Sequence, residues 1–235
     1  MRTFVVGDIH GHAELLRDMM ARLFDAKHPT SEDTLVFVGD YVDRGPDSKG
    51  VVEQVLALRD GGWPGKVVAL KGNHEALMLD WIAPEPALDP AVWIQNGGYD
   101  TIVSYTGGSF TRDWSGSIPA EHREFFDNLP TYYEDEHGIY VHAGLRPGKR
   151  PEDVDEEILL WIRDEFIQSD YKWDKIVVFG HTPQYLPPRG PIMDRSELDW
   201  KELNQDNKIG IDTGAAYGGP LTAVILPGPD FVRVP

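Results

Sequence analysis

Apolar positions in the first third of the chain alternate between two periods. Thr3–Val6, Leu35–Val38 and Val67–Leu70 are short apolar or β-branched runs, whereas Ala13–Phe24 and Lys49–Leu58 carry apolar residues at helical spacing. The alternation predicts a β-α-β-α-β start and a parallel sheet joined by right-handed crossovers. From Ala83 to Tyr133, Pro84, Pro86, Pro90 and the pairs Gly97-Gly98 and Gly107-Gly108 break the pattern into short helices and loops, read as an insertion beside the sheet. Regularity returns with a strand at Gly138–Val141, a helix over Asp155–Ile167 and a strand at Lys175–Phe179. Pro187–Asn207, rich in proline and charge, reads as an exposed excursion before closing strands at Lys208–Ile211, Leu221–Leu226 and Phe231–Val234. The expectation is one α/β domain over residues 1–235, with the insertion at about 83–133.

Each strand of the regular part runs into a polar cluster. The first three are Gly7-Asp8-Ile9-His10, Gly39-Asp40-Tyr41-Val42-Asp43-Arg44 and Gly72-Asn73-His74-Glu75; the later ones are His142-Ala143-Gly144 and Gly180-His181-Thr182. Sites in open α/β sheets form outside the carboxyl ends of the strands, so clusters distant in sequence are expected to meet in space.

Composition narrows the chemistry. The 235 residues hold no cysteine, which removes disulfides, thiolate nucleophiles and cysteine-ligated zinc, and leaves His, Asp and Asn as ligands. Apolar residues at 41% and charged residues at 26% are ordinary for a globular chain, but 22 Lys and Arg against 39 Asp and Glu give a net charge of −17. A surface so acidic repels phosphate backbones and anionic lipid, so neither nucleic acid nor membrane is an expected partner, and no obligate protein partner is evident. No apolar run approaches the ~20 residues of a membrane helix and the amino terminus lacks a signal-peptide pattern, so the expected location is cytoplasmic.

Asp8, His10, Asp40, Asn73, His142 and His181 form a mixed oxygen and nitrogen set, too many for one tetrahedral ion and suited to manganese, iron or zinc. A natural division gives Asp8 and His10 to one ion and Asn73, His142 and His181 to another, with Asp40 between them. Two such divalent ions can clamp the attacking and leaving oxygens of an in-line displacement. His74 is placed to protonate the leaving oxygen as a general acid, with Asp43 as its carboxylate partner. Arg44 offers a fork for phosphate oxygens. A second fork is expected from Arg163, with Arg146 and Arg150 as rivals, although Arg163 has Asp164 and Glu165 beside it for an ordinary surface pairing. His12, His28, His122 and His137 lack such context and read as surface or turn residues. Of the aromatics in the insertion, Trp93, Tyr99, Tyr105, Phe110 and Trp114, most are expected in the core and the alternative is a substrate rim.

In order, the five clusters resemble the sequence blocks of the phosphoprotein-phosphatase group of metallophosphoesterases, and the likeness runs to about Gly219. Trp93-Ile94-Gln95-Asn96-Gly97-Gly98, Trp161-Ile162-Arg163 and Ile211-Asp212-Thr213-Gly214-Ala215 look like intervening segments of its small phage and bacterial serine/threonine phosphatases. The resemblance implies a calcineurin-like α/β fold, a two-sheet sandwich flanked by helices. It also implies a di-metal site often active with manganese, direct in-line attack by metal-bound hydroxide without a phosphoenzyme, and Arg163 as the second clamp. The implied activity is hydrolysis of phosphomonoesters, on a phosphorylated protein or peptide or a small phosphoester. Symmetrical hydrolysis of a dinucleoside polyphosphate such as diadenosine tetraphosphate is the alternative, since those hydrolases share the block order; a non-catalytic scaffold on this fold is the alternative of another kind. The sequence departs from many relatives at Tyr217-Gly218-Gly219, where Gly218 stands in place of their cysteine, so thiol-directed inhibition is not expected.

Overall fold

The computed structural model describes residues 1–111, 113–186, 199–205 and 207–235. In chain order, β1 (Thr3–Val6), α1 (Ala13–Lys27), β2 (Thr34–Phe37), α2 (Ser48–Ala57) and β3 (Val67–Ala69) form the predicted alternating start, and α3 (Asn73–Trp81) follows, rising directly from the third polar cluster. The insertion supplies α4 (Pro90–Trp93), α5 (Tyr99–Thr106) and α6 (Ala120–Asp127). Then come β4 (Tyr132–Glu134), β5 (Gly138–Val141), α7 (Glu156–Trp161), α8 (Asp164–Ile167) and β6 (Ile176–Phe179). The chain closes with β7 (Tyr185–Leu186), β8 (Asp199–Trp200), β9 (Leu203–Gln205), β10 (Lys208–Gly210), β11 (Leu221–Leu226) and β12 (Asp230–Val234).

Two five-stranded mixed sheets result, ordered β12-β11-β1-β2-β3 and β4-β5-β6-β10-β9. The first three strands are parallel, as their alternation with helices requires; β11 turns antiparallel onto β1 through Thr3 opposite Leu226 and Val6 opposite Ala223. In the second sheet β5, β6 and β10 are parallel.

Strand periodicity explains the layering. Phe4, Val6, Leu35 and Phe37 turn to one face of the first sheet and pack with Leu16, Met19 and Leu23 of α1 and Val51, Val52 and Val55 of α2. The alternate positions Val5, Val36 and Val224 face the second sheet and meet Tyr140, Val178 and Ile209. Ile139, Val141, Val177 and Phe179 point away again and are covered by Leu159, Ile162 and Phe166 from the α7–α8 segment. Strands buried on both faces read as continuous apolar runs, which is how β1, β2 and β6 appear in sequence. Trp93, Ile102, Tyr105, Trp114, Phe125 and Phe126 of the insertion share the core of the first sheet and its helices.

Three expectations change. His122, expected at the surface or in a turn, is buried in α6 with its Nδ1 2.9 Å from the Tyr105 hydroxyl. The single helix over Asp155–Ile167 is two short ones, because Ile162 is extended (φ −60°, ψ 141°) and Arg163 adopts φ −131°, ψ −99°. Apolar spacing across the break is continuous, since Ile162 and Phe166 both turn inward, so periodicity did not reveal it. The stretch read as an excursion contains β9, which pairs antiparallel with β10, and β8, which pairs with β7; residues 187–198 and 206 of that stretch lie outside the described ones.

Candidate metal centre and its acid dyad

All five clusters follow strand ends or the turns just beyond them, and the local backbone is unusual there. Among the described residues, seven non-glycine positions have positive φ, and His10, Asp40, Asp43, Arg44 and His181 are five of them. Such conformations cost stability unless the surrounding fold fixes them, and they concentrate at functional sites. Glycine makes the closest approaches. A Cβ on Gly180 would lie 1.9 Å from Asp8 Oδ1, and one on Gly72 would lie 2.1 Å from Asp40 Oδ1.

Asp40 is at the centre. Its Oδ2 is 3.4 Å from His10 Nε2 and its Oδ1 is 3.5 Å from His142 Nε2. Two groups of ligand atoms lie within 4.8 Å of one another, His10-Asp40-His74 and Asp8-Asp40-His142, so Asp40 is common to both. Asn73 Oδ1 is 2.8 Å from both His142 Nε2 and His181 Nδ1, and the His181 amide donates to Asp8 Oδ2 at 2.8 Å. The six predicted ligands therefore form one contiguous set, each at most 5% exposed.

The donor chemistry of this set fits divalent cations. Nδ1 of His10 and of His142 lies 2.9 Å from the carbonyls of Val42 and Val38, which makes Nδ1 the N–H donor in each ring and leaves Nε2 a lone pair. On His142 that lone pair points at two oxygens, those of Asn73 and Asp40. Acceptors facing acceptors repel unless a cation lies among them. Asp8 Oδ1 and His181 Nε2 are buried without any hydrogen-bond partner, and each such orphan costs about 1–3 kcal/mol. Burial holds His10 and His142 below the usual imidazole range and lowers His181 to about 2, so all three are in the neutral state that binds metal.

Beside this set His74 Nδ1 donates to Asp43 Oδ2 at 2.7 Å. Burial works against the imidazolium, but Asp40 and the bond to Asp43 outweigh it and raise the His74 pKa. Asp43 is fully buried and is gripped by side chains of the insertion: Trp93 Nε1 donates to Oδ2 at 2.9 Å and Thr101 Oγ1 to Oδ1 at 2.6 Å. These partners lie 50 and 58 residues from Asp43, beyond the reach of local sequence reasoning. Trp93 is the core residue its composition predicted and also a hydrogen-bond donor to the dyad.

Glu75 is a second residue whose role was not legible. Its Oε2 accepts from the amides of Gly72 and Asp40, both at 2.9 Å, and its Oε1 from those of Tyr41 and Val42 at 2.8 and 3.3 Å. One buried carboxylate thus clamps the Asp40 turn to the start of α3. Burial and the Asp40 charge raise its pKa, and the donated N–H bonds oppose that rise.

The arginines occupy different positions. Arg44 donates from both terminal nitrogens into the centre, to His10 Nε2 and His74 Nε2, each at 2.9 Å. Arg163 is exposed at the kink between α7 and α8, and its charge contributes to the lowered pKa values of His142 and His181. Its rivals are engaged elsewhere: Arg146 pairs with Glu165 at 3.4 Å, and Arg150 with Glu134 at 2.6 Å and Asp174 at 3.2 Å.

A two-sheet sandwich whose strand ends gather buried Asp, His and Asn side chains defines a class, the metal-dependent hydrolases of phosphoesters. The chain belongs to the calcineurin-like phosphoesterase family, whose model matches residues 1–212. It is 32% identical to serine/threonine-protein phosphatase 1 of Salmonella typhimurium over 93% of this chain and 89% of that one. It is 27% identical to an asymmetrical bis(5'-nucleosyl)-tetraphosphatase of Anoxybacillus flavithermus over 98% of this chain and 93% of that one. A solved structure with a provisional assignment as a diadenosine tetraphosphatase superposes with a TM-score of 0.63 at 26% identity, covering 100% of this chain and 93% of its own. The protein is a hydrolase acting on phosphoesters, in a family that depends on two metal ions. No helix among the described residues is long and apolar enough to cross a membrane.

Proposed function

We propose that the protein hydrolyses phosphomonoesters as a serine/threonine protein phosphatase, using two divalent ions, manganese in the first instance. Asp40, whose carboxylate lies within 4.8 Å of ligand atoms of His10 and of Asp8 and His142, carries the two-metal part of this reading. Asp8 and His10 would hold one ion, Asn73, His142 and His181 the other, and Asp40 both. When bound, the ions neutralise phosphate charge and activate a water for in-line attack. Arg44 and Arg163 bind non-bridging phosphate oxygens and set the phosphorus in line. As the new P–O bond forms and the ester P–O bond breaks, the departing oxygen takes the proton from His74 Nε2. Asp43 accepts from His74 Nδ1–H, orients the ring and stabilises the imidazolium that carries the Nε2 proton. The products are the free alcohol and inorganic phosphate.

The 32% identity to a protein phosphatase supports a phosphorylated protein as substrate, and the Asp43 partner of His74 supports a phosphomonoester whose departing alkoxide needs a proton. The chain is also 27% identical to a dinucleoside tetraphosphatase, which supports dinucleoside-polyphosphate cleavage as the second reading. A non-catalytic scaffold has no need of the complete ligand set and dyad. The absence of a membrane-spanning helix among the described residues accords with action in the cytoplasm. Rates on a phosphothreonine peptide and on diadenosine tetraphosphate, measured with manganese, test the order: faster turnover of the peptide supports the first reading, and faster turnover of the nucleotide reverses it.

A further inference from the structure

The insertion divides its aromatic residues between two environments. Trp93, Tyr105 and Trp114 are buried, whereas Tyr99 is 50% and Phe110 45% exposed, and these two rings stack at 5.7 Å with 11° between their planes. Leu88 and Val92 of the same segment are exposed as well, so four of the eight exposed large apolar side chains among the described residues belong to it. Phe110 also walls a cavity of about 490 Å³ with Trp81, Pro90, Ala91 and Ile94, and Asp89 contributes a carboxylate to the lining. An apolar patch next to an apolar cavity is the pattern of a recognition surface.

The segment is tied to the catalytic region through its backbone. Gly97 accepts from the Arg44 amide at 3.3 Å and packs so closely that a Cβ there would lie 2.7 Å from Arg44 Cγ. Tyr99 follows two residues later at the start of α5, the helix whose Thr101 turns inward to Asp43. One helix therefore carries a dyad contact on its inner side and the exposed stack at its first residue.

We propose that this pocket receives an apolar side chain of the substrate polypeptide, flanking the phosphorylated residue, and so sets sequence preference; the inference rests on the protein-phosphatase reading above. A nucleotide base fits less well. Tyr99 and Phe110 are already stacked on each other and leave no slot between the rings, the remaining walls are largely aliphatic and indole, and Asp89 repels a polyphosphate chain. Burying one leucine-sized side chain is worth on the order of tenfold in kcat/KM.

The test uses phosphothreonine peptides of one serine- and glycine-rich sequence in which a single leucine is moved along either side of the phosphothreonine. Wild-type protein and the Phe110→Ser and Tyr99→Ser variants are compared, with p-nitrophenyl phosphate turnover and the melting temperature reporting an intact fold. The expected result is one or more leucine positions that raise wild-type kcat/KM about tenfold, with the preference lost in Phe110→Ser. No leucine preference in the wild type, or one that survives both substitutions, overturns the inference while leaving the phosphatase reading intact. Loss of diadenosine tetraphosphate turnover in Phe110→Ser with the peptide preference unchanged assigns the pocket to a nucleotide and overturns it too. If p-nitrophenyl phosphate is cleaved and no phosphopeptide is, the reading beneath the inference fails, and the inference with it.

Discussion

Arg44 donates to His74 Nε2 at 2.9 Å, and that nitrogen is the one that must carry a proton for His74 to act as an acid. A protonated Nε2 cannot accept this bond, so the guanidinium and the acidic imidazole cannot keep the contact. On the proposed mechanism, engagement of Arg44 by phosphate oxygens would release His74 for protonation and so couple substrate binding to formation of the acid. The guanidinium charge also works against protonation of His74, although Asp40 and Asp43 together leave its pKa raised. Replacing Arg44 by alanine is expected to lower kcat/KM on p-nitrophenyl phosphate by about 10²-fold, mostly through KM, because a bidentate charge-assisted pair is lost. Steady-state kinetics check this; an unchanged KM would place Arg44 outside phosphate binding.

The dyad predicts a dependence on leaving group. Asp43→Asn keeps the side-chain volume but removes the charge that orients and stabilises the His74 imidazolium. Turnover of an alkyl phosphate should fall about 10²–10⁴-fold. A nitrophenolate leaves without much help from a proton, so p-nitrophenyl phosphate should lose far less. Equal losses on the two substrates, with metal content unchanged, would count against His74 as the acid.

Close packing at Gly180 gives a structural prediction. A methyl group there would meet Asp8 Oδ1 at 1.9 Å and Val38 Cγ2 at 2.9 Å. Gly180→Ala should displace the Asp8 carboxylate and reduce bound metal by about one ion per chain, with a stability loss of about 1–3 kcal/mol. Metal analysis and thermal melting would detect both.

Away from the centre, Asp33 gives a pH signature in stability. It accepts from the Arg2 amide at 2.9 Å and its guanidinium at 2.6 Å, and from the Thr30 amide at 2.9 Å, tying β1 to the loop before β2. Burial opposes its ionisation, but these donors outweigh burial and lower its pKa to about 2. A depressed carboxylate contributes stability that is complete above its unfolded pKa of about 3.9 and is lost as pH falls toward the folded value. Arg2 is partly exposed, so solvent screening reduces the contribution to about 1 kcal/mol. Asp33→Asn should lower stability by that amount at pH 7, and denaturant melts should show the difference vanishing near pH 2.

The strands, their polar ends and the two early helices were legible because strands buried on both faces and helices covered on one leave unmistakable apolar patterns. Asp8, His10, Asp40, Asn73, His142 and His181 could be placed together because each follows a strand end or the turn beyond it. The break at Arg163 was not legible, since Ile162 and Phe166 keep a helical inward spacing through it. Nor was the grip of Trp93 and Thr101 on Asp43, which depends on how the insertion docks. The division of Tyr99 and Phe110 from Trp93 and Trp114 is likewise decided by tertiary packing, because side chains of one type stand on either side of it.

Asp40 is proposed to join two metal ions in one catalytic centre, and metal content measured alongside turnover reads this out. Wild-type protein dialysed against manganese and analysed by plasma mass spectrometry should bind two ions per chain and cleave p-nitrophenyl phosphate. Asp40→Ala should hold less than one ion and lose at least about 10³-fold in kcat. A metal-free wild type with full turnover, or an Asp40→Ala variant that keeps both ions and its activity, would contradict the account.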